Sequence, residues 1–125
     1  MASYSIKQGE SKVIEIPIYE LDAPVDMSAA TDIKVLFYIK GILVSKYSLT
    51  AQTGYGIVEV KPIPQSHVLS VELTRAQSQT FPTGYITGSV AIKWNDAILD
   101  DGLVKEYDMN IGQVFSGLAK SEILL

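Results

Sequence analysis

Alternation with a period of two is the pattern that most constrains what this chain can fold into. From Tyr85 to Trp94, the residues Ile86, Gly88, Val90, Ile92 and Trp94 fall on one side of an extended backbone, and Tyr85, Thr87, Ser89, Ala91 and Lys93 on the other. Such a pattern marks a strand with one face buried. Val13 to Tyr19 repeats it with Ile14, Ile16 and Ile18 together, and Pro17, which has no N–H to donate to a ladder, points to a sheet edge. Asp32 to Lys40 and Ile42 to Leu49, joined through Gly41, are rich in β-branched and aromatic residues. Ile57 to Lys61 follows Gly54 and Gly56 and is closed by Pro62 and Pro64, and His67 to Leu73 is a further strand. Asn95-Asp96 and Asp100-Asp101-Gly102 are turn formers, after which Leu103 to Ile111 returns as a strand.

The helical signal is short. Thr74-Arg75-Ala76-Gln77 fits a capping box, and Pro82 and Gly84 stop the turn soon afterwards. Seven or eight short strands at intervals of roughly 8 to 12 residues, with one helical turn near residues 74–80, predict an all-β antiparallel sandwich rather than a βαβ fold.

The 125 residues suit one domain, and the chain is 47% hydrophobic but only 19% charged, which is more apolar than an average soluble protein. No apolar run approaches the roughly 18 residues that span a bilayer, and Met1 to Glu10 lacks the basic-then-apolar build of a secretory leader. A chain made in the cytoplasm without a signal peptide, and without a membrane partner, is expected. The net charge is −4 and its basic residues are scattered singly, which argues against nucleic acid as a partner.

Candidate chemistry is sparse. His67 is the single imidazole, no G-x-S-x-G elbow accompanies it, and the absence of cysteine removes thiolate nucleophiles and Cys-based zinc sites. Asp96, Asp100 and Asp101 do not have calcium-loop spacing, and Gly54-Tyr55-Gly56 lacks the third glycine and helix of a dinucleotide fingerprint. The expectation is no catalytic residue, no metal and no cofactor. Seven Tyr and one Trp leave a sugar-stacking platform as the alternative, although Phe37, Phe81 and Trp94 read as core.

The last fifteen residues, Ile111 to Leu125, hold eight apolar side chains and only Lys120 and Glu122 as charges. Gly112 and Gly117 interrupt any regular period there. The chain is therefore divided into a β domain at residues 1–112 and an apolar arm at 113–125 that packs on the domain or on a partner. Val114, Phe115, Leu118, Ile123, Leu124 and Leu125 are the candidate partner-binding residues.

The order of several motifs is that of a known family. Ser5-Ile6-Lys7-Gln8-Gly9-Glu10, the strand Val13 to Tyr19, and Asp22-Ala23-Pro24-Val25-Asp26-Met27-Ser28-Ala29-Ala30-Thr31 resemble the start of Ig-like β-sandwich domains in tailed-phage virion proteins, such as the N-terminal domain of phage baseplate upper proteins. Val71 to Gln77 followed by Phe81-Pro82-Thr83-Gly84-Tyr85 resembles the family's strand, capped turn and glycine-tyrosine step. The segment Gly41 to Pro64 matches nothing specific in that family. The resemblance implies a non-enzymatic structural part of a virion, in the tail, baseplate or capsid surface, with other virion proteins as partners in a homo- or hetero-oligomeric assembly. It brings no catalytic residue.

Overall fold

The computed structural model describes residues 4–94 and 103–115. The chain runs β1 (Tyr4–Lys7), β2 (Lys12–Pro17), β3 (Tyr19–Glu20), β4 (Ala23–Pro24), β5 (Ala30–Ile39), β6 (Ile42–Ser48), β7 (Gly56–Val60), β8 (Val68–Leu73), α1 (Arg75–Gln79), β9 (Gly84–Trp94) and β10 (Leu103–Phe115). The long strands lie where the alternation puts them. Ile86, Gly88, Val90 and Ile92 face inward on β9, and Ile33, Val35, Phe37 and Ile39 do so on β5. Of the expected aromatic core, Phe37 and Phe81 are buried, whereas Trp94, at the end of β9, is half-buried against it. The 95–102 connection lies outside the described residues, but β9 and β10 pair antiparallel from Leu103↔Trp94 onward.

Eight strands form one series of neighbours in the order β1-β10-β9-β5-β6-β7-β8-β2, with β3 and β4 as a separate small hairpin. The chain is all-β with one short helix, as expected, but in place of the two separate layers of a sandwich the eight strands form one series curled nearly into a barrel. Its link is a short parallel pairing of β6 with β7, Tyr47↔Gly56 and Ser48↔Ile57. Glycine makes that approach possible, because a Cβ on residue 56 would stand 2.7 Å from the Tyr47 ring. The order β6-β5-β9-β10 on one side and β7-β8-β2 on the other, with a helical turn between β8 and β9, is that of an immunoglobulin-like fold. The first strand leaves β2 and pairs in parallel with β10.

Local chemistry sets the corners. The β5–β6 hairpin turns through Lys40 and Gly41 with φ of 54° and 76°, and the β3–β4 hairpin through Leu21 and Asp22 with φ of 52° and 64°. Left-handed pairs of this kind match the twist of adjoining strands. The capping box is present: Gln77 N–H donates to the Thr74 hydroxyl at 3.2 Å, and Thr74 N–H donates to the side-chain Oε1 of Gln77 at 2.8 Å. Buried Ser78 then fastens α1 to the β1–β2 turn, accepting from Gly9 N–H at 3.0 Å and donating to the Glu10 carbonyl at 2.7 Å.

At the other end of the chain, β10 does not stop at Ile111. A register shift between Asn110 and Gly112 changes the phase of the alternation, so that Val114 is buried as well as Ile111, and the strand continues through Gly112 to Phe115 between β9 and β1. Gly112 reads in sequence as an interruption; in the fold it is where the first strand docks, since a Cβ there would meet the Tyr4 carbonyl oxygen at 2.0 Å. Residues 113–115 of the expected arm are therefore the last part of a paired strand.

Candidate functional site

The curled sheet closes incompletely, and its seam is the most site-like feature. β1 fills the seam's upper half, pairing with β10, among the described residues, from Tyr4↔Gly112 to Lys7↔Phe115. Its contact with β2 on the other side is made by side chains. The Tyr4 phenol accepts from the Glu15 N–H at 2.8 Å and donates to the Glu15 carbonyl at 3.0 Å, and the Lys12 ammonium donates to the Ser5 carbonyl at 2.9 Å. Thus a tyrosine hydroxyl satisfies the outward peptide groups of an edge strand where no neighbouring backbone does so.

Below Tyr4 the seam opens into a cleft of about 250 Å³. One wall is Glu15, Pro17 and Tyr19, and the other is Asp108, Met109 and Asn110 of β10. Among the described residues, no strand pairs with either wall on the side that faces the cleft. Pro17 stands on this edge, where its missing N–H has no ladder to interrupt. The Tyr19 ring is about half exposed and meets His67 edge-on with 5.4 Å between centroids. Glu15 is paired with Lys61, whereas the exposed Asp108 carboxylate has no partner among the described residues.

A latch bounds the cleft from below. The Glu20 carboxylate accepts from the Lys105 ammonium at 2.8 and 3.0 Å and from the Tyr107 hydroxyl at 3.2 Å, which ties the β3–β4 hairpin to β10. Hydrogen bonding and charge from Lys105 lower the Glu20 pKa from its ordinary value, and the same contact raises that of Lys105. Partial burial raises the Tyr107 pKa, with the Glu20 charge adding to it, so the phenol stays a donor. At the hairpin tip Leu21 is 96% exposed in a left-handed conformation, an arrangement that neither burial nor backbone preference favours.

The sequence-derived candidates are dispersed. Val114 is buried at 1% exposure inside the core and Phe115 is exposed at the end of β10, while Leu118, Ile123, Leu124 and Leu125 lie outside the described residues. His67 is half-buried beside Tyr19, with no serine or acid arranged around it among the described residues' contacts. Asp96, Asp100 and Asp101 lie outside the described residues. The Tyr55 ring sits under the ammonium groups of Lys34 and Lys46 at 5.4 and 4.6 Å, a half-buried cation–π stack rather than part of the seam. Among the described residues no His, Cys, Asp and Glu side chains gather as metal ligands would, and no helix is long and apolar enough to cross a membrane.

Sequence reasoning did not find Tyr4, Tyr19, Glu20, Lys105 or Tyr107 as a group. Glu20 and Lys105 are 85 residues apart and Tyr4 and Glu15 are 11 apart, so no local spacing joins them. Pro17 was the one readable signal, because it marks the edge on which the cleft is built.

Comparison with known proteins adds little to this. No protein-family model matches the chain, and no curated protein matches it. Among solved structures, the V domain of amphioxus IgVJ-C2 is similar at 17% identity and a TM-score of 0.32, over 92% of this chain and 100% of that chain.

Proposed function

We propose that this chain is a non-enzymatic structural and adaptor module that works through protein–protein contacts, and that it is a part of a bacteriophage virion. What supports the contact reading is one observation: the seam leaves two strand edges facing an apolar-floored cleft with no partner among the described residues. An unpaired edge is a template for an added strand, and proteins that stay monomeric usually blunt theirs. The virion assignment rests on the motif order from Ser5 to Thr31 and from Val71 to Tyr85. Other virion proteins are then the partners, in the tail, the baseplate or the capsid surface.

The test is particle assembly with the double variant Tyr19→Ala, Asp108→Arg, both exposed residues of the cleft. A folded variant that is left out of particles is the expected outcome. Normal incorporation of that variant would remove the seam from the contact surface, and absence of the wild-type chain from particles would remove the virion assignment.

A second reading has its own observation. Two tyrosines beside Glu15, Asp108 and Asn110 are the combination of ring faces and polar groups that a sugar needs. A glycan array read with Tyr19→Ala as the control distinguishes it. Trp94 is less suited to that control, since it is half-buried against the core.

A further inference from the structure

We infer that the outer face of β10, β9, β5 and β6 pairs with the same face of a second copy of this chain, about a two-fold axis that runs along the strands between β9 and β5. The inference goes beyond the contact reading above, because this face is a different surface from the seam. Strand register lays its side chains out in rows. Asp108 of β10 stands beside Ser89 of β9, which stands beside Leu36 of β5 and then Lys46 of β6. On one side of that row lie Glu106, Ala91 and Lys34, and on the other Asn110, Thr87 and Tyr38. Each row therefore starts at β10 with an acid or an amide, continues with a small residue on β9, and reaches a large one on β5. The face is open: Glu106, Asp108, Asn110 and Thr87 are exposed, and Ser89, Ala91, Leu36 and Tyr38 are only half-buried.

Charge and size make this face complementary to itself. Among the described residues Glu106 and Asp108 have no cation beside them, and Lys34 and Lys46 have no carboxylate, only the Tyr55 ring they share. The proposed axis lays β10 over β6 of the second copy and β9 over β5. Asp108 then stands opposite Lys46, and Glu106 comes next to Lys34. Ser89 and Thr87 meet Leu36 and Tyr38, and a shallow hollow between Tyr38, Thr87, Ser89 and Asp108 leaves room for the tyrosine of the other copy. Small residues along β9 let the two sheets approach to the ~10 Å of aligned sheet packing. An axis across the strands would instead stack acids on acids and lysines on lysines, which is costly. A two-fold contact of this kind uses the same patch on both copies and closes at a dimer. Strand spacing and rise give a footprint of about 400 Å² per copy. Standard interfaces bury about 800 Å² a side, so the dimer belongs with the weak, transient ones.

Sedimentation of the full chain at concentrations up to the millimolar range tests this. The wild-type chain is expected to form dimers that salt weakens, since the facing charges are solvent-accessible. Lys46→Glu and Asp108→Lys, taken singly, should each weaken the dimer by about tenfold or more, because each places like charges opposite one another twice. An equimolar mixture of the two variants should regain the affinity, because both contacts of the mixed dimer again join unlike charges. Arg75→Glu, an equal change of charge on the exposed side of α1, is the control and should leave the dimer as it is. A wild-type chain that stays monomeric throughout would overturn the inference. So would a mixture no tighter than either variant alone, or an Arg75→Glu variant weakened as much as Lys46→Glu. Asp108 borders both surfaces, whereas Lys46 lines no part of the cleft, so Lys46→Glu separates this contact from the seam. Its normal self-association beside a seam variant left out of particles would refute the dimer and leave the adaptor reading standing.

Discussion

Gly112 carries more of the architecture than any other single residue of β10. Its lack of a side chain lets the Tyr4 backbone lie against it, and the clash introduced by a Cβ is with main chain, which no side-chain rotation relieves. Gly112→Ala should therefore push β1 off the sheet and cost about 1–3 kcal/mol, the usual range for overpacking, which denaturant unfolding measures directly. Tyr4 works from the opposite side of the same strand. Tyr4→Phe keeps the ring and removes the hydroxyl that bonds both the N–H and the carbonyl of Glu15. The expected effect is a loss of about 0.5–1.5 kcal/mol, with faster hydrogen exchange at the Glu15 amide while the β5 and β9 amides stay protected.

Between elements, the Glu20 latch is a contact whose strength follows pH. The carboxylate titrates below its ordinary value of 4.5 because of Lys105, so its contribution is present above 4.5 and is lost as pH falls through the lowered value. Lys105 titrates above its ordinary 10.5, so the same contact is complete below 10.5 and is lost as pH rises through the raised value. Both side chains are 42% exposed, and solvent screening keeps the stabilisation modest. Glu20→Gln should accordingly lower the melting temperature slightly at neutral pH and make no difference in acid, where the wild-type carboxyl is protonated too. A difference that persists undiminished in acid would show that the glutamate acts by packing instead. The same latch holds the β3–β4 hairpin that presents Leu21, so loosening it should also increase the mobility of that tip.

For the whole molecule, the described core is closed by residues up to Val114, with Ile6, Ile111 and Val114 filling the side nearest the seam. Cutting the chain after Phe115 should thus leave a cooperatively folding β domain with unchanged near-ultraviolet dichroism; loss of the cooperative transition would make Ser116–Leu125 part of that core. Much of this domain was legible in advance, because period-two alternation depends only on which side of an extended backbone each residue falls. That is why β2, β5, β8 and β9 lie within a residue or two of their expected places, and why Pro17 marked an edge. The capping box at Thr74 was legible for the same reason, since its two partners are three residues apart. Short strands escaped: β1, β3 and β4 each have too few residues to show a period. Whether the strands make two sheets or one curled sheet was decided by the meeting of Tyr47 and Gly56, and the role of Gly112 was decided by a first strand that pairs with the last. By itself, then, the sequence determined the strands, their buried faces and one helix cap, all of which rest on neighbours along the chain. The seam, its tyrosine seal and its Glu20 latch were decided by the tertiary structure alone, because they depend on where the two ends of a curled sheet come to face each other.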